Sequence, residues 1–361
     1  MRIKIVGAGL IGTSLALALK AQGDSIQFQD SDQSAARLAQ ELIGQARALE
    51  AKPEAKNEDE FDLVIIATPV ESIFPTLIAE FTMNPSSTFM DIGGLKSNLL
   101  LKVEELPELA ERFVSLHPMA GREVSGAKSA RSDLFEGRAL LITPTSQTSD
   151  EVLAQAQKIA EVIGSKSYLI SAHDHDQAIA LVSHLPQAVA SVLGATLEGK
   201  PSSELTFAGA GLRDTSRLAG SDPKLWRELL MENSELFLAV AKEYLENFTN
   251  LITHLEAGDG EKVEEFFARA RKGREAIPGK HGGKSREYTY LPIVIDDKPG
   301  QLAKIFDECA RANVNVEDLS IEHSPGQEKG LVTLALSKSD AVVLERYLQG
   351  TSWRVQAPYT H

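Results

Sequence analysis

Short apolar runs, separated by amphipathic stretches, fill the first half of the chain. RIKIV (2–6), IQFQD (26–30), DLVIIAT (62–68), STFMDIG (87–93), RFVSLH (112–117), RALLIT (138–143) and SYLIS (167–171) are rich in β-branched and aromatic residues. Near-continuous runs of this kind read as strands buried on both faces of a parallel sheet. With helical patterns between them they predict an α/β domain with a doubly wound, Rossmann-type sheet. A helix over 149–163 opens on a capping box of Thr148 and Glu151 and stops at Gly164.

From about residue 172 to 275 the pattern is helical only. The stretch SDPKLWRELLMENSELFLAVAKEYLENFTNLITHL starts at Asp222 as N-cap with Pro223 in the first helical position. Leu225, Leu229, Leu236, Val240, Tyr244, Phe248, Leu251 and Leu255 recur at spacings of three, four or seven, and Leu230, Phe237, Ala241 and Leu245 widen the stripe. A helix this apolar is buried on several sides, which predicts an intertwined homodimer core. Pro186 predicts a kink that tilts His184 toward a crevice. RKGREAIPGKHGGKSRE (271–287) reads as a linker. Beyond it, YTYLPIVID, NVNVEDLSIEH, GLVTLALS and TSWRVQA alternate with two helices in the order βαββαβ. The resulting division is 1–171 for the sheet domain, 172–280 for an all-helical domain and 288–361 for a small α/β module.

The N-terminus, MRIKIVGAGLIGTSLALALKA, shares its basic start and apolar run with a secretory signal. Three glycines at fixed spacing favour a strand, a turn and a helix instead, and no membrane span is expected elsewhere. Composition narrows the function classes. The net charge of −14 argues against nucleic acid and anionic membrane as partners. The single cysteine, Cys309, rules out a disulfide within the monomer and suits the reducing cytoplasm.

The turn GAGLIG carries the clearest chemistry. Gly7 permits a tight turn, Gly9 lets the backbone approach a pyrophosphate, and Gly12 lets helix and sheet pack closely. With Leu10 and Ile11 these residues open a helix whose N-terminus holds an anion. Asp30, at the end of the second strand, suits the adenosine ribose hydroxyls, and the acidic DSDQS that follows favours NAD over NADP. The plainer alternative is an ordinary strand-to-helix turn. Thr68 and Pro69 end the third strand on the nicotinamide side of the crevice, or simply end a strand. His117 ends the fifth. It is placed either to take a proton from a substrate hydroxyl as hydride leaves the same carbon, or to cap a strand. His173 and His175 flank Asp174, but adjacent residues converge poorly on a metal. Asp174 or Asp176 as a helix N-cap is the better account, and no metal is expected.

LHPMAGRE, VSHLP and RDTSRLAGSDPKLW, in this order after GAGLIG, resemble the prephenate/arogenate dehydrogenase family of tyrosine biosynthesis over residues 1 to 280. The resemblance implies NAD-dependent oxidative decarboxylation of prephenate to 4-hydroxyphenylpyruvate, or of arogenate to tyrosine. It makes His117 the catalytic histidine, His184 a pocket histidine, and Arg217 the ligand of the substrate carboxylate. Trp226, Asp214 and Glu123 match residues around the substrate. Two positions depart from the pattern: Gly94 stands where many members have a serine that orients the histidine, and Gln187 where some have a second histidine. DDKPGQLAKIFDECARANVNV looks like an ACT domain. On that resemblance Asp297, Pro299, Gly300, Gln301, Leu302 and Asn315 would hold an amino-acid effector, with tyrosine the natural candidate, or the module only dimerises.

Two other readings compete. A β-hydroxyacid-type dehydrogenase would share the N-terminal fold but rely on a catalytic lysine in the helical domain. A regulator that kept the fold without the chemistry would have no need of His117 and Arg217.

Overall fold

The seven apolar runs become seven strands: β1 (Arg2–Val6), β2 (Ser25–Gln29), β3 (Leu63–Ile66), β4 (Thr88–Asp91), β5 (Phe113–Pro118), β6 (Ala139–Pro144) and β7 (Lys166–Leu169). The computed structural model describes residues 1–44, 61–120, 126–277, 288–323 and 329–360. The strand order is β2-β1-β3-β4-β5-β6-β7, so the winding reverses between β1 and β3. The first five strands pair in parallel. The last two correct the all-parallel expectation: β6 pairs antiparallel with β5, and β7 runs parallel to β6. Between β5 and β6 the described residues hold only the 3-10 turn Ala127–Ser129. A parallel return would need the connection to cross a face of the sheet, usually as a helix.

Alternation along the strands builds two cores, one on each face. Ile3, Ile5, Ile65, Met90 and Val114 meet α1 (Leu10–Lys20) and α2 (Gln33–Leu42) on one side. Val6, Val64, Phe89 and Phe113 meet α3 (Val70–Met83), α4 (Ser97–Glu104) and α5 (Pro107–Glu111) on the other. The next helix, α6 (Asp150–Val162), is capped by Ser149, whose hydroxyl accepts from the Val152 amide, rather than by the expected Thr148. Thr148 is engaged elsewhere, donating to the Phe113 carbonyl and accepting from the Thr145 amide. A buried ion pair ties β1 to α3 within this layered core. Lys4 Nζ lies 2.7 Å from both carboxylate oxygens of Glu80 on α3, and Asn84 donates to the same carboxylate.

The helical segment continues as α7 (Ala172–Ile179), a π-helical turn (Ala180–His184), α8 (Leu185–Leu197), α9 (Ser202–Leu205), α10 (Ala210–Ser216), a 3-10 turn (Arg217–Gly220), α11 (Pro223–Glu232), α12 (Ser234–Glu256) and α13 (Gly260–Glu275). Three expectations change here. Ser171, not Asp174 or Asp176, caps α7, accepting from the Asp174 amide. The long helix from Asp222 is two helices divided at Asn233, although Asp222 and Pro223 start the first as predicted. The first residues of the expected 271–287 linker are helical, because α13 runs to Glu275; residues 278–287 of it lie outside the described residues. Ala172–Leu197 is long and apolar enough to cross a membrane by length and composition. It carries His175, Asp176, His184 and Gln187, all buried among polar partners of their own unit. In lipid such groups are costly.

The described residues form two compact units, Met1–Val189 with Leu218–Glu243, and Ala190–Arg217 with Tyr244–His361. The second contains the C-terminal module: β8 (Thr289–Asp296), α14 (Gln301–Arg311), β9 (Asp318–His323), β10 (Lys329–Leu336), α15 (Lys338–Gln349), β11 (Arg354–Val355) and β12 (Tyr359–Thr360). Its antiparallel sheet has the order β11-β8-β10-β9, with β12 also on β8. Leu291, Ile293, Ile305, Leu334 and Leu344 form its core.

The buried pair generates a stability prediction. Glu80→Ala strands the Lys4 ammonium in an apolar layer and should cost about 3–5 kcal/mol, seen as a lower urea midpoint. The double variant Lys4→Met/Glu80→Leu, which removes both charges, should recover most of that loss. A double variant as unstable as Glu80→Ala would show that the stranded charge is not the cause.

Candidate active site

The glycine turn lies at the reversal point between β1 and β3, where open α/β sheets bind ligands. Gly7 has φ +111°, and a Cβ there would lie 2.3 Å from the Ala67 carbonyl oxygen. A Cβ on Gly12 would lie 2.3 Å from the Gly7 carbonyl oxygen and 3.0 Å from Ala67 Cβ, so its absence lets α1 pack onto the sheet. Gly9 differs: a Cβ would meet nothing within 4 Å, so its backbone faces open space. Gly9 is also the N-cap of α1 without a side-chain cap, and Leu10 and Ile11 form the first turn. Asp30 is oriented toward this turn, accepting from the Ala8 amide at 2.7 Å and the Asp32 amide at 2.8 Å. Thr68 Oγ1 is buried without a hydrogen-bond partner, and Pro69 is the N-cap of α3. An open glycine backbone, uncapped helix amides, an acidic group beyond them and an orphaned hydroxyl together fit a dinucleotide.

His117 ends β5 at the same edge of the sheet. Its Nδ1 is 2.9 Å from His175 Nε2. His175 is fully buried, and its Nδ1 lies 2.8 Å from Asp176 Oδ1. Asp176 also accepts from the amides of Lys96 (3.0 Å) and Ser97 (2.8 Å) at the start of α4. Burial would raise this carboxyl, but hydrogen bonds from His175 and Ser97 outweigh it and hold the pKa low. Lys96 is buried too, with Nζ on Asp91 (2.9 Å) and on the carbonyls of Gly93 (2.7 Å) and Leu116 (2.8 Å). Burial pushes its ammonium down, against the opposing pull of Asp91. Burial, then the Lys96 charge and His175, push His117 well below the ordinary histidine value. The imidazole is therefore neutral and available as a base at neutral pH. A Cβ on Gly94 would sit 4.0 Å from His117 Nε2, so a serine would fit there without strain.

His184 ends the π-helical turn and is buried, with its pKa pushed down to about 4 by desolvation. Trp226 on α11 meets it edge-on, ring centroids 5.8 Å apart. Asn233, in the break between α11 and α12, donates to the Asp176 carbonyl at 3.0 Å and lies 3.4 Å from His184 Nδ1. The wide turn explains how Pro186 is accommodated: π-bulges re-space the backbone where an ordinary helix would clash. Gln187, in the first turn of α8, donates to the Leu218 carbonyl at 2.8 Å and accepts from the Ser221 hydroxyl at 3.3 Å. One unit thus brings together His117, His184, Gln187, Trp226 and the cofactor turn. It adds four groups with no predicted role in the site, His175, Asp176, Asn233 and Lys96.

Arg217 and Asp214 belong to the other unit, where both are exposed and three residues apart, Asp214 within α10 and Arg217 just after it. Glu123 lies outside the described residues. In the C-terminal module, Gly300 (φ +86°) caps α14 and turns the chain after Asp297 and Pro299. Asn315 lies in the loop just before β9 and donates to Glu317 at 3.1 Å. Leu302 is exposed on α14. A cavity of about 490 Å³ in this module is lined by Gln301, Lys304, Arg311, Lys329 and Arg354, among others. Of the expected effector residues it includes Gln301 only.

Comparison with known proteins agrees with this geometry. Residues 15–169 match the family model described as prephenate dehydrogenase, nucleotide-binding domain, and residues 171–269 match its dimerization domain. A Streptomyces niveus protein described as a "probable prephenate dehydrogenase" is 28% identical over 97% of this chain and 98% of its own length. The prephenate dehydrogenase of Bacillus subtilis is 27% identical over 94% of this chain and 92% of its own. The crystal structure of prephenate dehydrogenase from A. aeolicus, in complex with hydroxyphenyl propionate and NAD+, superposes with a TM-score of 0.70 at 27% identity. That match covers 76% of this chain and 97% of the other. With both family models matched in order over most of its length, the chain belongs to the prephenate dehydrogenase family, NAD-dependent oxidoreductases of tyrosine synthesis.

Proposed function

We propose that this chain oxidises and decarboxylates prephenate with His117 as the proton acceptor and Arg217 as the ligand of a substrate carboxylate. The observation that carries the reading is the place of His117 at the carboxyl end of β5, on the sheet edge that also holds the glycine turn, with burial pushing its imidazole below the ordinary histidine value. Gly9, the first-turn amides at Leu10 and Ile11, Asp30 and Thr68 would hold NAD, which supplies the hydride acceptor. Asp30, with no basic residue close behind it, supports NAD over NADP.

The residues then have defined tasks. His117 Nε2 takes the C4 hydroxyl proton as hydride leaves C4. The ring carboxylate departs as CO2, its electron pair makes the ring aromatic, and the oxygen becomes a phenoxide. His117 can return the proton to that oxygen, so charge and protons balance. A neutral, partly desolvated imidazole suits both transfers. The guanidinium of Arg217 suits a carboxylate because its planar fork pairs both oxygens. His184 and Trp226 would line the substrate pocket, and Gln187, through Leu218, would steady the turn that follows Arg217. Asp214 and Glu123 would complete the polar surroundings of the arginine.

The working division is 1–171 for cofactor binding, 172–280 for substrate binding and dimerisation, and 288–361 for regulation. A homodimer is supported by the match to a dimerization domain and by the apolar face of α12, where Leu238, Leu245, Phe248 and Leu255 are 50–61% exposed. Regulation by tyrosine through the C-terminal module, and a cytoplasmic location, complete the reading.

The direct test is NADH formation at 340 nm by the purified chain with prephenate or arogenate, NAD or NADP, with and without tyrosine. Turnover of prephenate with NAD is expected, falling with tyrosine; turnover of arogenate alone would change the substrate and keep the mechanism. His117→Ala should lower kcat by about 10²–10⁴-fold while leaving NAD binding intact. Because the free-enzyme pKa of His117 is depressed, the base form persists as pH falls. The acid limb of kcat/KM should therefore lie well below pH 6.5, and a limb at 6.5 would contradict the burial argument. Arg217→Ala should raise the KM for prephenate about 100-fold, the loss of one charge-assisted carboxylate pair. An unchanged KM would remove Arg217 from the substrate site.

A further inference from the structure

We infer that His175 and Asp176 are positioning residues that fix the ring tautomer of His117, in a chain whose glycine at position 94 offers no hydroxyl to do so. The inference rests on reading His117 as the base and adds what prepares it.

The argument starts at the carboxylate. Asp176 accepts two main-chain amides at the start of α4, and Oδ1 also faces His175 Nδ1. An ionised carboxylate only accepts, so the proton between the two groups belongs to His175 Nδ1. A His175 with one ring proton then presents Nε2 as a lone pair, 2.9 Å from His117 Nδ1. His117 must donate from Nδ1, which leaves its own Nε2 without a proton. That nitrogen is the one beside Gly94, where a Cβ would lie 4.0 Å away. The chain of bonds therefore converts a backbone-pinned carboxylate into a base lone pair two rings away. A carboxylate that orients and fixes a histidine in this way is familiar in catalytic carboxylate–histidine pairs, where the wrong tautomer is severely inactive.

The pair also prepares the charged state. Besides burial, four charged or titratable groups act on His117: Lys96, His175, Asp176 and His184. The Lys96 ammonium opposes an imidazolium and the Asp176 carboxylate favours one. When His117 gains the substrate proton at Nε2, the Nδ1–H bond to His175 is retained and points the new charge toward Asp176. No proton has to move onto His175.

A purely structural role remains the competing account. In it Asp176 only caps α4, and His175 only fills the core beneath β5.

Two measurements on the full-length protein separate these. Nitrogen-15 NMR of labelled histidines, with His117 assigned by a His117→Gln variant, reads which ring nitrogen holds the proton at neutral pH. Nδ1 is expected; a proton on Nε2 would overturn the inference whatever the kinetics show. The second measurement compares His175→Leu with His175→Gln, whose amide oxygen can still accept from His117 Nδ1. The His175→Leu variant should lower kcat about 100-fold, with the NAD dissociation constant within about threefold, and the His175→Gln variant should recover at least about tenfold of that loss. Full activity in His175→Leu, equal loss in both variants, or cofactor binding falling in step with kcat would each sink the positioning role. His117→Ala tests the base itself. Its failure would leave the NMR result standing, so the two readings fail separately.

Discussion

The site depends on a buried carboxylate that has to be satisfied. Asp176 lies in the helical segment, yet its partners are amides at the start of α4, which follows the fourth strand of the sheet. Leaving such a charge unpaired inside a protein is prohibitive, so the chain is obliged to bring α7 against the ends of β4 and β5. Once that contact exists, His175 is held over His117. The Lys96 ammonium makes the same demand from the strand side. It needs Asp91 and two carbonyls, and one of those, on Leu116, belongs to the residue before His117. Asp91 in turn accepts from the Ser115 hydroxyl, so the end of β4 and the middle of β5 are bound to one network. Directional polar contacts, rather than the apolar layers, fix where the histidine points.

Much of this architecture was legible in the sequence. Seven apolar runs are seven strands; the central ones, such as β3 and β4, are buried on both faces and apolar almost throughout, while β2 and β7 at the edges are partly or fully exposed. The GAGLIG turn was readable glycine by glycine, since each absent Cβ answers a steric question of its own. Asp222 and Pro223 announced a helix start because their chemistry is local. The reversal of β6 was not legible. Strand direction depends on the connection, which carries no hydrophobic period of its own.

The relay behind His117 was hidden for a different reason. His117 and His175 are far apart in sequence, and the HDHD run invites a metal or cap reading before a pairing with a distant ring. Only the fold reveals that α7 passes over the end of β5. The break at Asn233 was concealed too: the apolar stripe continues across it, while the side chain turns inward to serve His184 and Asp176. Caps misread by a residue or more, at Ser149 and Ser171, reflect neighbouring residues that can all cap. Which one does is settled by whatever else competes for the others, as the Phe113 carbonyl does for Thr148.

The π-helical turn at Ala180–His184 gives this segment an unusual relation to its own length. A π turn is in effect one residue more than an α-helix needs. The bulge absorbs that residue locally, so deleting one residue within it would leave a regular helix with the stretches on either side close to their present phase, and Gln187 would keep the Leu218 carbonyl. Deleting a residue from the regular helix that follows has nothing to absorb it: everything beyond would rotate by about 100° and shift by about 1.5 Å along the axis. The segment can therefore lose one residue at Ala180–His184, at the cost of moving His184 itself, but not from the α-helical turns on either side.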